Sequence, residues 1–232
     1  MRSCRLFWGP EQTALSPSAA ERGYAVFDFE TTGLSWAEGD RVVQVAVVHL
    51  SSEGLFESEW ESLVNPQRGI TSTEIHGITE ELVASAPTFP QVWPRLLSAF
   101  NNRIVVAHNA SFDLGFLWSE LARFNPPADL PRLPVFDTLR LAHLVEGAPN
   151  RRQRSLAATL GIDPLAKPGR GPHDALTDAH VASDILRHYL NEWPHLVNKG
   201  IRNFPEAFAK LKPANLTTIG TGTEKPSPER DI

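Results

Sequence analysis

The sequence predicts an α/β domain, a mixed β-sheet with helices on both faces. Two observations predict it. Three runs rich in Val, Phe and Trp, at 24–30, 41–50 and 55–63, follow one another with only turn residues between them. Beyond them the apolar period changes to that of a helix, and short apolar runs at 103–107 and 134–136 fall between the helical stretches.

The elements can be justified in order. Residues 1–20 contain Pro10 and Pro17 and show no periodicity, so they read as a flexible N-terminal arm. Tyr24 to Glu30 is a strand closed by Thr31-Thr32-Gly33. Arg41 to Leu50 is a second, and Ser52-Glu53-Gly54 turns the chain into a third. In that third strand, alternation places Phe56 and Trp60 on one face and Glu57, Glu59 and Glu61 on the other. Thr79 to Ala84 reads as a short capped helix. Phe89 to Phe100 carries Phe89, Val92, Trp93, Leu96, Leu97 and Phe100 at helical spacing, with Pro94 either kinking the helix or marking its start. A strand at 103–107, a helix at 111–124, a brief strand at 134–136 and a helix from 138 to about 146 follow. Helical patterns then cover about 153–160 and 174–190, and the Gly-, Thr-, Ser- and Pro-containing tail beyond Asn215 reads as disordered. The expected division is an arm at 1–20, a single domain at 21–192 and a partly disordered C-terminal extension at 193–232.

Composition bounds the function. A chain of 232 residues can build one sizeable core, and 41% apolar with 21% charged residues excludes wholesale disorder. Cys4 stands alone, so no intrachain disulfide can form and a reducing, cytoplasmic location is expected. Leu6-Phe7-Trp8 is too short for a secretory signal, and no apolar stretch approaches bilayer length, so no membrane partner is expected. A net charge of −5 argues against a passive nucleic-acid coat. It leaves room for an enzyme that neutralises its substrate with metal ions. Arg151, Arg152, Arg154, Lys167 and Arg170 form a basic region that reads equally well as an exposed turn or as a set of phosphate contacts.

The chemistry is concentrated in carboxylates. Asp28 and Glu30 lie two apart on a strand and therefore project to the same side. Their mutual repulsion can be relieved by a shared proton or by a cation between them. Asp113 is followed by Phe116, Leu117 and Leu121 on one helical stripe, and Asp178 by Ala182, Ile185 and Tyr189, so both acids share inward-facing stripes. No Arg or Lys lies at helical spacing on either stripe. His173 follows Gly169-Arg170-Gly171-Pro172 on a loop, and a histidine there can accept a water's proton near neutral pH. Asp137 precedes a helix and reads as its N-cap.

Phe27-Asp28-Phe29-Glu30-Thr31-Thr32-Gly33-Leu34, His108-Asn109-Ala110-Ser111-Phe112-Asp113 and His173-Asp174-Ala175-Leu176-Thr177-Asp178 together resemble the three motifs of the DEDDh (DnaQ-like) 3′→5′ exonucleases. That family includes the epsilon proofreading subunit of bacterial DNA polymerase III. The resemblance runs from about Ala25 to Tyr189. It implies a ribonuclease-H-like fold with a five-stranded mixed sheet, the first three strands antiparallel. It implies that Asp28, Glu30, Asp113 and Asp178 hold two divalent cations, Mg²⁺ or Mn²⁺, with His173 as general base releasing nucleoside 5′-monophosphates from a single-stranded 3′ end. Thr31, Leu34, Ile75, His76 and Phe112 would bind the terminal nucleotides, although Ile75 and Phe112 read equally well as core. A DNA polymerase subunit is the implied protein partner. Two further readings stay open: an RNA-directed member of the same group, and a binding module on a retired exonuclease fold, which the complete motifs disfavour.

Overall fold

Val, Phe and Tyr dominate the strand Tyr24–Thr31 (β1), and its place in the sheet follows from them, because nearly every residue is buried from both faces. The computed structural model describes residues 22–124, 133–145, 152–164 and 173–204. The arm at 1–20, Arg151, Lys167, Arg170 and the tail beyond 215 lie outside the described residues. β1 pairs antiparallel with Val42–Leu50 (β2), which pairs antiparallel with Phe56–Leu63 (β3). On its other side β1 runs parallel to Ile104–Ala107 (β4), which runs parallel to Leu133–Asp137 (β5).

Between β3 and β4 lie the short helices Thr73–His76 (α1) and Glu80–Val83 (α2) and the longer Phe89–Phe100 (α3). The start of α3 is fixed at Thr88, whose N–H donates to Gln91 Oε1 at 2.8 Å, and the helix continues through Pro94. Ala110–Arg123 (α4) follows β4, and Thr138–Val145 (α5) follows β5. Gln153–Thr159 (α6), Ala175–Glu192 (α7) and Pro194–Gly200 (α8) complete the described helices. Trp36–Glu38 forms one 3-10 turn between β1 and β2.

The sheet has six strands rather than the expected five, in the order β3-β2-β1-β4-β5-β6. The added strand is Arg202–Phe204 (β6), antiparallel to β5. Three residues including Arg202 and Asn203 carry no readable alternation; packing places them instead. Val197 of α8 is fully buried, and a side chain at Gly200 would come within 2.7 Å of the Phe136 ring, so the chain can return against β5 only with glycine there.

Helices cover both faces. Ala25, Phe27 and Phe29 of β1 point to a layer with α3 and α4, whereas Tyr24 and Val26 point to a layer with α5, α6, α7 and α8. By the same alternation Asp28 and Glu30 point toward α7. The edge strand departs from simple alternation. His49 pairs with Ser58 but Leu50 with Phe56, so a bulge at Glu57 reverses the side on which Phe56 projects. Phe56 accordingly stacks on His180 of α7, and Trp60 lies on the opposite face beneath Arg95 of α3. The expected shared face for Phe56 and Trp60 is thus incorrect. Among the described residues no helix is long and apolar enough to cross a membrane.

Candidate active site

The carboxyl ends of β1 and β4 open at the same edge of the sheet, and the acids collect there. β1 delivers Asp28 and Glu30 directly. After β4 the chain turns at Asn109, whose φ of 69° is the left-handed conformation that asparagine tolerates. The Asn109 N–H donates to Asp137 Oδ1 at 3.1 Å, and the same oxygen accepts from Leu139 N at 3.0 Å. Asp137 therefore caps α5 and pins the start of α4 at once. Asp113, in the first turn of α4, is buried, and its Oδ1 accepts the Phe29 N–H at 3.1 Å.

The N-terminus of α7 is fixed by a second set of bonds. Asp174 caps it, accepting from Thr177 N at 3.1 Å. Buried Gln44 on β2 donates to Asp174 Oδ1 at 3.2 Å and accepts from Ala175 N at 3.2 Å. This places Asp178, in the first turn, beside Glu30. His173 precedes the helix with φ of 57° and is exposed. Glu30, His173 and Asp178 offer ligand atoms that all lie within 4.8 Å of one another.

Charge is crowded at this edge. Burial first, and then the field of Asp178, Asp113 and Asp174, push the Glu30 carboxyl up to about 8. Burial likewise lifts Asp113 to about 8 against the Phe29 hydrogen bond that favours its ionised form. Asp28 is raised well above the carboxylate range by burial and then by Asp113, Asp178 and Glu30. Asp178 is raised by burial and held back by Arg154. A crowd of carboxylate oxygens short of positive charge suits a divalent cation.

A cleft of about 290 Å³ opens over the acids. Asp28, Glu30, Asp178 and His173 form its polar side, and Thr31, Leu34, Ile75, His76 and Phe112 also line it. Asp113 lies against β1, its Oδ1 bonded to the Phe29 amide. Leu34 and Ile75 are exposed, 77% and 50%, so neither is core. Phe112 is half-buried with its ring 4.9 Å from that of Phe116. His76 is more committed: Nδ1 accepts from Ile78 N at 3.0 Å, which makes Nε2 the donor toward Thr31 O at 3.2 Å. Burial lowers its pKa, so the neutral ring braces the turn after β1.

Three participants escape sequence reading. Arg154 of α6 donates from Nη2 to Asp178 Oδ1 at 2.7 Å. Its neighbour Gln153 donates to the Asp178 carbonyl oxygen. Asp174, inside the third motif, is a further buried acid at this edge. Helical spacing finds partners on one helix and is silent about a helix crossing it; the only available signal for Arg154 is the basic run in which it lies.

Known proteins resemble this chain in sequence and in fold. A family model described as an exonuclease (RNase_T) matches residues 25–186. A DNA polymerase III subunit epsilon-like protein from Rhodobacter capsulatus is 35% identical over 193 residues, covering 82% of this chain and 26% of that protein. The chain spans about a quarter or less of the length of the first curated relatives it matches. Exonuclease X, solved in complex with 5′ overhanging duplex DNA, superposes with a TM-score of 0.63 at 27% identity, over 76% of this chain and 96% of that one. The nuclease domain of 3′hExo, a DEDDh family member bound to rAMP, gives a TM-score of 0.65 at 18% identity, over 76% and 95% respectively, a likeness of fold.

Proposed function

The chain belongs to the exonuclease family, and we propose that it is a metal-dependent 3′→5′ exonuclease releasing nucleoside 5′-monophosphates from single-stranded 3′ ends, with DNA favoured. The observation that carries this reading is the convergence of Glu30, Asp178 and His173 within 4.8 Å at a cleft whose other side is the Thr31–Leu34 turn.

Asp28, Glu30, Asp113 and Asp178 would hold two divalent cations. Bound there, the cations would neutralise the scissile phosphate and make a water acidic enough to attack it. The chain's own residues do the rest. His173 sits on the exposed side of the acids, where its imidazole can take the proton of the attacking water. Thr31 and the turn behind it, braced by His76 and by Ser72 Oγ donating to the Thr31 carbonyl, form a firm seat for the terminal sugar. Leu34 and Ile75 present apolar surface to the last bases, and Phe112 offers a ring face beside them. The name of the Rhodobacter capsulatus relative suggests a polymerase subunit as protein partner.

Incubating a 5′-labelled single strand with Mg²⁺ tests the reading. Wild type should shorten it stepwise from the 3′ end while Asp28→Ala leaves it intact; an inert wild type would sink the proposal. Matched DNA and RNA strands compared by rate test the sugar preference.

A further inference from the structure

Among the described residues, acids of β1, α4 and α7 gather at this edge with the guanidinium of Arg154. We propose that Arg154 is a resident counter-cation of the cleft, which a divalent cation must displace from Asp178 in order to load there. The inference rests on the metal-binding reading above and adds a competitor to it.

The contact is built from two consecutive residues of α6 acting on one residue of α7. Arg154 Nη2 holds the Asp178 carboxylate at 2.7 Å, and Gln153 holds the Asp178 main-chain carbonyl. α6 is anchored beneath them by Leu156 and Ala157, both fully buried in the layer that contains α7. The guanidinium itself is poorly served. Nε and Nη1 are buried, and among the described residues neither has a hydrogen-bond partner. A structural arginine normally uses its planar fork, two parallel bonds to one carboxylate, as Arg41 does with Glu120 at 2.7 and 2.8 Å. Arg154 makes a single bond to Asp178 instead. What keeps it there is the field of the acids, which its charge opposes at Glu30. A cation entering beside Asp178 both competes for the same carboxylate oxygens and repels the guanidinium, so loading must move it or share the ligand.

The charge, rather than the hydrogen bond, is the device. Arg154→Gln removes the charge and keeps a donor, and Arg154→Lys keeps the charge. Mg²⁺ binding followed by isothermal titration calorimetry should therefore tighten in Arg154→Gln, by roughly tenfold, and stay near wild type in Arg154→Lys. Melting temperature supplies the second readout. In EDTA, Arg154→Gln should melt below wild type, and in saturating Mg²⁺ the gap should close or reverse. An ordinary structural ion pair would lower both melting temperatures equally. Mg²⁺ affinity in Arg154→Gln equal to or weaker than wild type overturns the inference alone. Failure of wild type to bind Mg²⁺ at all would defeat the metal-site reading, and this inference with it.

Discussion

The Phe29 amide donates to Asp113 Oδ1 across 84 residues of sequence, at 3.1 Å. The bond leaves β1 between Asp28 and Glu30, so the backbone that carries the first two acids also holds the third. The three cannot be displaced independently. Asp113 thereby gains a structural partner that Asp178 obtains from Arg154 instead.

Crowded carboxylates make stability depend on pH in a definite direction. Glu30 titrates near 8 in the folded chain against an ordinary 4.5, so the folded state holds that proton more tightly. The stability it confers is complete below about 4.5 and is lost as pH rises through about 8. In EDTA, the melting temperature should fall between pH 5 and pH 8.5, and Mg²⁺ should flatten that fall. A flat EDTA profile would show that the acids do not repel as their burial requires.

His173 adopts φ of 57°, so its replacement must separate the imidazole from the backbone. Asparagine tolerates that conformation. His173→Asn should reduce kcat by about 10²-fold or more while Mg²⁺ affinity, by calorimetry, changes little. A loss of metal affinity as large as the loss of turnover would make His173 a ligand rather than a base.

A β-carbon at Gly115 would lie 2.3 Å from Trp36 Nε1, on the rigid part of the indole. Gly115→Ala should push Trp36 off α4 and loosen the loop that begins at Leu34. We expect a stability loss of about 1–3 kcal/mol by denaturant titration, with KM for a single strand raised more than kcat is lowered. Unchanged KM would disconnect Trp36 from the substrate side of the cleft.

Arg41 and Glu120 form a two-bonded pair of which Glu120 is almost fully buried, and Val42 N also donates to Glu120 at 3.1 Å. Removing the arginine leaves an enclosed carboxylate. Arg41→Ala should cost about 3–5 kcal/mol in urea unfolding, a loss below 1 kcal/mol being the contrary result.

How far the sequence reached can be judged on particular residues. The inward placement of Asp28, Glu30, Asp113 and Asp178 is legible because each period, two for the strand and 3.6 for the helices, states which side chains look inward. Asp137 was legible as a cap because capping is local. The face of Phe56 is not legible in the sequence, because one extra residue in a bulge shifts parity and nothing in the 55–63 run marks it. β6 leaves no sequence signal, because three residues are too few for a pattern and its position depends on Phe136, far away in sequence. Arg154 and Gln44 belong to the same class: their partners lie 24 and 130 residues away, and only the fold joins them.

β1 is bonded along both edges, to β2 over its length and to β4 over its first half. Such a strand is expected to be among the last parts of a domain to open, with amides that exchange only on global unfolding. Placing the acids there denies the protein the usual escape from like-charge stress, which is for the offending segment to fray. The stress stays in the folded molecule, where a proton on Glu30, the Arg154 guanidinium or a captured cation can relieve it. The slowest-exchanging strand of the sheet would then be the one most altered, in its energetics, by an ion in solution.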